Sequence, residues 1–204
     1  MKVWHTRHAG LGVVLVGIAS LCCPSSAAAH LVTTGMGPVY DGIGHLLLTP
    51  EDLVAVLALG LYAGLRGAIT GRRTMFLLPV AWFIGGIAGS AVKVVPSFPI
   101  PALSFLVLGG LVAADLYMPT AAVTVLAIAI GLVHGFSNGV ALKEGAGTLG
   151  LMGIMIMLFI LVTLASAVVV SLNKPWARIA VRVAGSWTFA SGLLMLGWFI
   201  RIAK

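Results

Sequence analysis

Long apolar runs separated by short polar joints dominate the sequence. Six of them lie at about residues 51–69, 75–95, 100–117, 120–138, 147–171 and 179–200. Each run is close to the roughly 20 residues that an α-helix needs to cross the hydrocarbon core of a bilayer. The pattern therefore predicts an all-α membrane protein, built as a compact bundle of six transmembrane helices.

The amino terminus carries a shorter apolar run with different flanks. A basic start with Lys2 and Arg7 precedes the run, and small residues ending at Ala29 follow it. This three-part pattern is typical of a secretory signal peptide. We therefore predict a cleavable signal at residues 1–29 and a single membrane domain at residues 30–204. The alternative is that the first run stays in place as an uncleaved seventh helix.

The composition excludes several classes of protein. Hydrophobic residues make up 60% of the chain and charged residues only 8%, whereas about a quarter of an average soluble domain is charged. The basic residues lie singly between apolar runs and form no groove-sized patch, so we expect no nucleic-acid partner. Both cysteines, Cys22 and Cys23, fall inside the predicted signal, which leaves the mature protein without a disulfide or a thiolate metal site.

The distribution of basic residues predicts how the bundle is oriented. If the mature amino terminus is exported, the first and fifth connections between spans face the cytoplasm. These connections and their flanks hold six basic residues: Arg66, Arg72, Arg73, Lys174, Arg178 and Arg182. Positive charge on cytoplasmic loops is the usual determinant of orientation. The sequence thus predicts a multi-pass protein of the bacterial inner membrane, with its mature amino terminus on the periplasmic side.

Glycines recur at four-residue spacing within several of the apolar runs. The motifs are Gly60-x3-Gly64, Gly85-x3-Gly89, Gly131-x3-Gly135 and Gly135-x3-Gly139. A missing side chain allows two helix backbones to approach closely. These motifs predict close helix packing and indicate no particular activity.

Ionisable residues next to the hydrocarbon are expensive and are therefore candidates for function. On a continuous helix Asp41, His45 and Asp52 would share one face, because offsets of 4 and 11 residues return to within about 40°. One imidazole and two carboxylates could then bind a divalent cation. Alternatively, Thr49, Pro50 and the following acids form a helix start, with threonine as N-cap and acids at the positive end of the helix dipole. That alternative accounts for Glu51, less fully for Asp52 and not at all for His45.

Two further histidines are candidate ligands. His134 could coordinate a metal through one ring nitrogen while Ser137 or Asn138 fixes the other, or it could only hydrogen-bond a neighbouring helix. Cleavage after Ala29 would place an amino group beside the imidazole of His30 and create a chelate for nickel or copper. Otherwise His30 is an ordinary surface histidine. For Asp115 we expect an interfacial loop position in preference to a metal-binding role.

These residues resemble the HupE/UreJ family of hydrogenase and urease accessory proteins. The first-span pattern of that family is roughly His-Pro-x-x-Gly-x-Asp-His, with a glycine nine residues after the Asp. His45, Glu51, Asp52 and Gly60 stand at the matching positions. The fourth-span pattern is His-Gly-His-Ala-His-Gly, and the chain has His134-Gly135-Phe136-Ser137-Asn138-Gly139. The resemblance implies a permease for nickel or cobalt in the inner membrane.

The chain departs from the family pattern at three histidines. Asp52 replaces the second histidine of the first-span motif, and Phe136 and Asn138 replace two in the fourth-span motif. Carboxylates and amides shift a site toward harder ions than imidazoles do. The metal that we expect is nickel or cobalt, with copper or zinc possible, and it is transported and not permanently bound.

The leading hypothesis is a permease that captures its metal at an outward-facing site of His45, Asp52 and His134. The full predicted ligand set is His45, Asp52, His134, Asp41, Glu51, His30 and Asn138. The alternative is a non-transporting membrane accessory protein that helps to assemble or anchor a metalloenzyme. An intramembrane hydrolase using His134 and Ser137 is a weaker third class, because two residues three apart on one helix make a poor catalytic pair without an orienting group. We therefore predict no enzymatic activity.

Overall fold

The computed structural model describes residues 33–92 and 98–202, and all regular structure in these ranges is helical. The predicted signal peptide, including both cysteines, lies outside them. The described ranges contain seven helices. They are α1 (Pro38–Leu48), α2 (Pro50–Leu65), α3 (Ala68–Ser90), α4 (Ile100–Ala114), α5 (Thr120–Leu142), α6 (Gly147–Val170) and α7 (Pro175–Ile202).

A sharp break separates α1 from α2. Thr49 between them has an extended backbone, with φ −102° and ψ 92°, because the residue before a proline disfavours helical geometry. The two helix axes consequently meet at 78°. The continuous helix that would align Asp41 with Asp52 is therefore wrong, and the helix start at Pro50 is confirmed. Thr49 stands at the N-cap position, but its hydroxyl donates to the carbonyl oxygen of His45 and caps no amide of α2.

Four of the described helices are long and apolar enough to cross a membrane, namely α3, α5, α6 and α7. The α1–α2 pair passes the same test only as one broken span. The remaining helix, α4, has 15 residues, which rise about 22 Å against a hydrocarbon core of about 30 Å. The described chain is thus a multi-pass helical membrane protein. The count of six full spans stays a prediction.

Glycines bring α3 and α5 into backbone contact. A methyl group on Gly135 would lie 2.1 Å from the carbonyl oxygen of Trp82, and one on Gly139 would lie 1.9 Å from that of Gly86. Facing them on α3, a methyl group on Gly89 would lie 2.0 Å from the carbonyl oxygen of Phe136. The close packing that the glycine spacing predicts is therefore confirmed for this helix pair.

Close packing at glycines also joins other helices. Gly60 and Gly64 on α2 face Val162 and Ser166 on α6, and Gly109 on α4 faces the backbone of α7. The helix α1 also packs on α6, where a methyl group on Gly42 would lie 1.9 Å from the carbonyl oxygen of Gly150. Both halves of the broken span are therefore held by α6.

Large apolar side chains cover much of the remaining helix surface. Trp187 and Leu194 on α7 are each 75% exposed, and Val125 on α5 is 66% exposed. Extended apolar surface of this kind is uncommon on soluble monomers. It is the surface expected of helices that face lipid.

Candidate functional site

Four polar side chains lie together in the largely apolar interior. Asp52 from α2, Ser104 from α4, and His134 and Asn138 from α5 are 4%, 5%, 2% and 3% exposed. Burying a charged or polar group is unfavourable unless it is paired and hydrogen-bonded. The four side chains, here called the Asp52 cluster, meet most of that requirement by bonding one another.

His134 is held at both ring nitrogens. Its Nδ1 lies 2.6 Å from Oδ1 of Asp52, and its Nε2 lies 2.8 Å from Oγ of Ser104. The second carboxylate oxygen of Asp52 accepts a hydrogen bond from Nδ2 of Asn138 at 2.7 Å. The cluster therefore links three helices that are far apart in the sequence.

With His134 neutral and Asp52 ionised, these contacts fix the direction of the hydrogen bonds. A carboxylate only accepts, so the proton between Asp52 and His134 belongs to Nδ1. In neutral imidazole the other nitrogen is an acceptor, and the hydroxyl of Ser104 donates to it. His134 is thereby held in one tautomer, with its Nε2 lone pair directed at Ser104.

The fold places the carboxylate of Asp52 at a favourable position in its helix. Asp52 lies in the first turn of α2, immediately after the break at Thr49. Unpaired amides and the helix dipole make this end of a helix positive, which favours a negative side chain. The proline break therefore explains how a carboxylate is accommodated inside an apolar bundle.

Asn138 contributes an unused oxygen to the cluster. Its Nδ2 donates to Asp52 and also to the carbonyl oxygen of His134, which fixes the orientation of the amide. The remaining atom, Oδ1, is buried and has no hydrogen-bond partner in the described ranges. Buried polar atoms are rarely left unsatisfied, so this oxygen is an acceptor still available to a cation or a water molecule.

An aromatic wall closes one side of His134. The ring of Trp82, on α3, lies 5.4 Å from the imidazole centroid at an interplanar angle of 33°. Trp82 is 1% exposed. The indole thus restricts the rotation of the imidazole and excludes water from that face.

The remaining predicted ligands are Asp41, Glu51, His45 and His30. Asp41 accepts hydrogen bonds from the backbone amide and the hydroxyl of Thr34, and Glu51 is exposed. His45 is buried on α1, at 7% exposure, and His30 lies outside the described residues. Throughout residues 33–92 and 98–202, no three or more histidine, cysteine, aspartate or glutamate side chains converge in a group that could hold a metal ion.

Sequence reasoning missed two residues of this region: Ser104, a member of the Asp52 cluster, and Trp82, which packs against His134. Ser104 is the only polar side chain among the 15 residues of α4, and a lone hydroxyl in an apolar helix is a usable signal. Trp82 gives no such signal, because one aromatic residue in an apolar run looks like any lipid-facing residue. Ser137, proposed above as a partner of His134, instead donates to the carbonyl oxygen of Val133.

A second group of charges lies around Asp115. This residue ends α4 in a left-handed conformation with φ 51°, and its carboxylate pairs with Arg66 and Arg178. Arg66 is only 6% exposed and Arg178 is 55% exposed. Asp115 thus occupies the loop position that we expected, but it joins α2, α4 and α7 instead of facing solvent alone.

Partial burial raises the pKa of Asp115, but the pairing with Arg178 and Arg66 outweighs it, and the pKa lies below the ordinary value of 3.8. A lowered pKa stabilises the fold above the ordinary value, and this stabilisation is lost as pH falls through the lowered one. We expect Asp115→Asn to destabilise the protein at pH 7 by about 2 to 4 kcal/mol, because the buried Arg66 loses its counter-ion. Asparagine tolerates the left-handed backbone, so the change isolates the charge.

Thermal unfolding of the protein in detergent, followed from pH 7 to pH 3, would measure this effect. The difference in unfolding temperature between wild type and Asp115→Asn should become smaller below pH 4. As a control, Glu144→Gln removes an exposed carboxylate and should leave the unfolding temperature at pH 7 unchanged. A constant difference across the whole pH range would show that the carboxylate charge of Asp115 is not responsible.

The fold and the Asp52 cluster define a class of protein, a multi-pass helical membrane protein with a buried, hydrogen-bonded polar site. The family model described as "HupE / UreJ protein" matches residues 18–195. The chain belongs to this family. It is 25% identical over 186 residues to "Protein HupE" of Rhizobium leguminosarum bv. viciae, an alignment that covers 88% of this chain and 94% of that protein. No solved structure matches the chain.

Proposed function

We propose that the protein is an inner-membrane permease for a divalent transition-metal ion, nickel or cobalt, which passes through the Asp52 cluster. The observation that carries the proposal is the burial of Asp52, His134 and Asn138 between apolar helices. Ionisable groups inside a membrane bundle commonly mark the pathway of an ion or a proton. Membership of the HupE/UreJ family agrees with this function.

The donor atoms of the cluster suit such an ion. Imidazole nitrogen binds nickel, cobalt, copper and zinc, and carboxylate and amide oxygens add hard ligands. The carboxylate of Asp52 meets Nδ1 of His134, whereas Nε2 faces Ser104 on the opposite side of the ring. The oxygens of Asp52 and Asn138 and this nitrogen would therefore contact the ion in turn and not at one point. Only one of the three is an imidazole, so weak binding is expected, as transport of an ion requires.

The break before α2 supports the same proposal. Many transporters bind their substrates where a membrane helix is interrupted, because the interruption exposes helix ends inside the membrane. Here Asp52 stands in the first turn after the interruption. The end of α2 itself is positive and favours an anion, so it is the carboxylate of Asp52, beside the extended Thr49 and the 78° bend, that would attract the cation.

Metal accumulation in cells tests the proposal. Nickel, cobalt, copper, zinc and manganese would be measured in cells that express wild type, His134→Ala, Asp52→Asn and His45→Ala at matched membrane levels. We expect one metal to accumulate above the vector control and the first two variants to lose at least 90% of that accumulation. His45→Ala tests whether the predicted outer ligand belongs to the same pathway.

The matched control is Ser186→Ala, which removes an exposed hydroxyl that donates to a backbone carbonyl on α7. It should accumulate metal as wild type does. The permease proposal fails if wild type accumulates none of the five metals, or if His134→Ala and Asp52→Asn both accumulate metal normally.

One observation favours a second function. Both ring nitrogens of His134 and both oxygens of Asp52 already have protein partners. A cluster satisfied in this way also serves a membrane accessory protein that assembles or anchors a metalloenzyme without moving metal. In that case deletion of the gene lowers the activity of the metalloenzyme while metal uptake stays constant.

A further inference from the structure

On the basis of the proposed function, we infer that Ser104 is a positioning residue that controls access of the metal to His134. Its hydroxyl occupies Nε2, and the incoming ion must displace it. Ser104 therefore weakens metal binding and speeds metal release.

The geometry leaves Nε2 as the only ring nitrogen that a metal can use. Nδ1 carries the proton bound by Asp52 at 2.6 Å, whereas Nε2 carries the lone pair that accepts from Ser104 at 2.8 Å. A metal ion and a hydroxyl proton cannot share one lone pair. Binding therefore requires the hydroxyl of Ser104 to rotate away from His134.

The bond from Ser104 differs from those of several other helix hydroxyls in the described chain. Ser137, Ser186 and Thr124 each donate to a carbonyl oxygen four residues earlier in their own helix. Ser104 instead bonds a side chain on another helix, although it lies in the fifth position of α4 with the carbonyl of Ile100 one turn before it. Its hydroxyl can therefore move from His134 to this carbonyl by a change in χ1 alone.

Packing keeps Ser104 in reach of His134. The backbone of α4 is held against α7, since a methyl group on Gly109 would lie 2.4 Å from the amide nitrogen of Phe189. Trp82 restricts the imidazole from the α3 side. With α4 and the imidazole held in place, rotation of the serine hydroxyl is the movement that frees Nε2.

Equilibrium binding of CoCl2 and NiCl2 to the purified full-length protein in detergent tests the inference. Ser104→Ala frees Nε2, so we expect its Kd to be about three- to tenfold lower than that of wild type, the range that one hydrogen bond represents. Ser104→Thr keeps the hydroxyl and should bind as wild type does. Ser186→Ala is the matched control, and thermal unfolding of every variant checks that the fold is retained.

A transport readout separates positioning from simple structural support. In cells that accumulate the metal, Ser104→Ala should lower KM and also lower the maximal rate, because tighter binding slows release. A structural role would lower the maximal rate with no fall in KM. In the double variant Ser104→Ala with His134→Ala, the gain in affinity should vanish.

The outcomes distinguish this inference from the proposed function. If wild type binds cobalt or nickel but cells accumulate none, only the permease proposal fails. If Ser104→Ala binds no more tightly than wild type, the inference about Ser104 is overturned while the permease proposal stands. If wild type and Ser104→Ala bind neither metal, both are overturned.

The hydrogen-bonded series Ser104, His134 and Asp52 matches the connectivity of a serine hydrolase triad, so an additional experiment treats the wild type with an alkyl fluorophosphonate probe. If Ser104 only positions His134, the probe should leave the wild type unlabelled. Labelling that depends on Ser104 would assign it a nucleophilic role and overturn the positioning role.

Discussion

Gly135→Ala and Gly139→Ala should each lower the unfolding temperature in detergent by about 4 to 10 °C. The added methyl groups would lie 2.1 and 1.9 Å from carbonyl oxygens of α3. Backbone atoms cannot move aside as the end of a flexible side chain can, so α3 and α5 must separate. The unfolding temperature of the double variant should fall further than that of either single variant, because each glycine meets a different turn of α3.

The matched control is Gly197→Ala on α7, where a methyl group would have nothing within 4 Å. Alanine is the better helix former by about 1 kcal/mol, so this variant should unfold at the same temperature as wild type or slightly higher. Unchanged stability of Gly135→Ala and Gly139→Ala would contradict the backbone contact between α3 and α5.

Asp52→Ala should destabilise the protein by about 2 to 5 kcal/mol and abolish metal accumulation. The substitution removes the acceptor for Nδ1 of His134 and for Nδ2 of Asn138. Each buried donor left without a partner costs about 1 to 3 kcal/mol. Asp52→Asn should destabilise the protein less, because its amide oxygen still accepts one of the two hydrogen bonds.

Chemical or thermal unfolding of detergent-solubilised protein measures the loss of stability, and metal content of the cells measures the loss of accumulation. Glu144→Gln again serves as control, since it also removes a carboxylate but at an exposed position. A finding that Asp52→Ala unfolds like wild type would mean that water reaches the cluster and satisfies both donors.

Much of the helical fold could be predicted from the sequence. The apolar runs locate α2 to α7 to within several residues, because a helix in a membrane must satisfy all its backbone groups internally. The glycine spacing also identifies contact surfaces correctly, including that of Gly85 and Gly89 on α3. The spacing does not show which helix packs against which, since any two glycine-lined helices could in principle meet.

The helix α1 shows where periodicity fails. Its residues, Pro38–Leu48, read as a polar approach to the first span, and their joint face with Asp52 assumes one straight helix. The bend at Thr49 turns α1 onto α6 instead. The signal was present in Pro50, which disfavours helical geometry at the preceding residue and favours the first position of a new helix.

The candidate site could be predicted only in part. Asp52, His134 and Asn138 attract attention because each is a polar residue in an apolar run. Their partner Ser104 belongs to a helix that carries no motif of the family pattern, and its role depends on how α4 approaches α5. That approach is a property of tertiary packing, so spacing along the chain cannot supply it.

The break between α1 and α2 also affects how the sequence can vary. In one rigid helix, a residue inserted near Asp41 would rotate every later side chain by about 100° and turn Asp52 away from His134. The extended Thr49 prevents a rotation in α1 from being passed on to α2, and α6 holds α1 and α2 through separate glycine contacts. Insertions and deletions in α1 should therefore be tolerated during evolution far better than those in α2, and the lengths of the two segments can diverge independently.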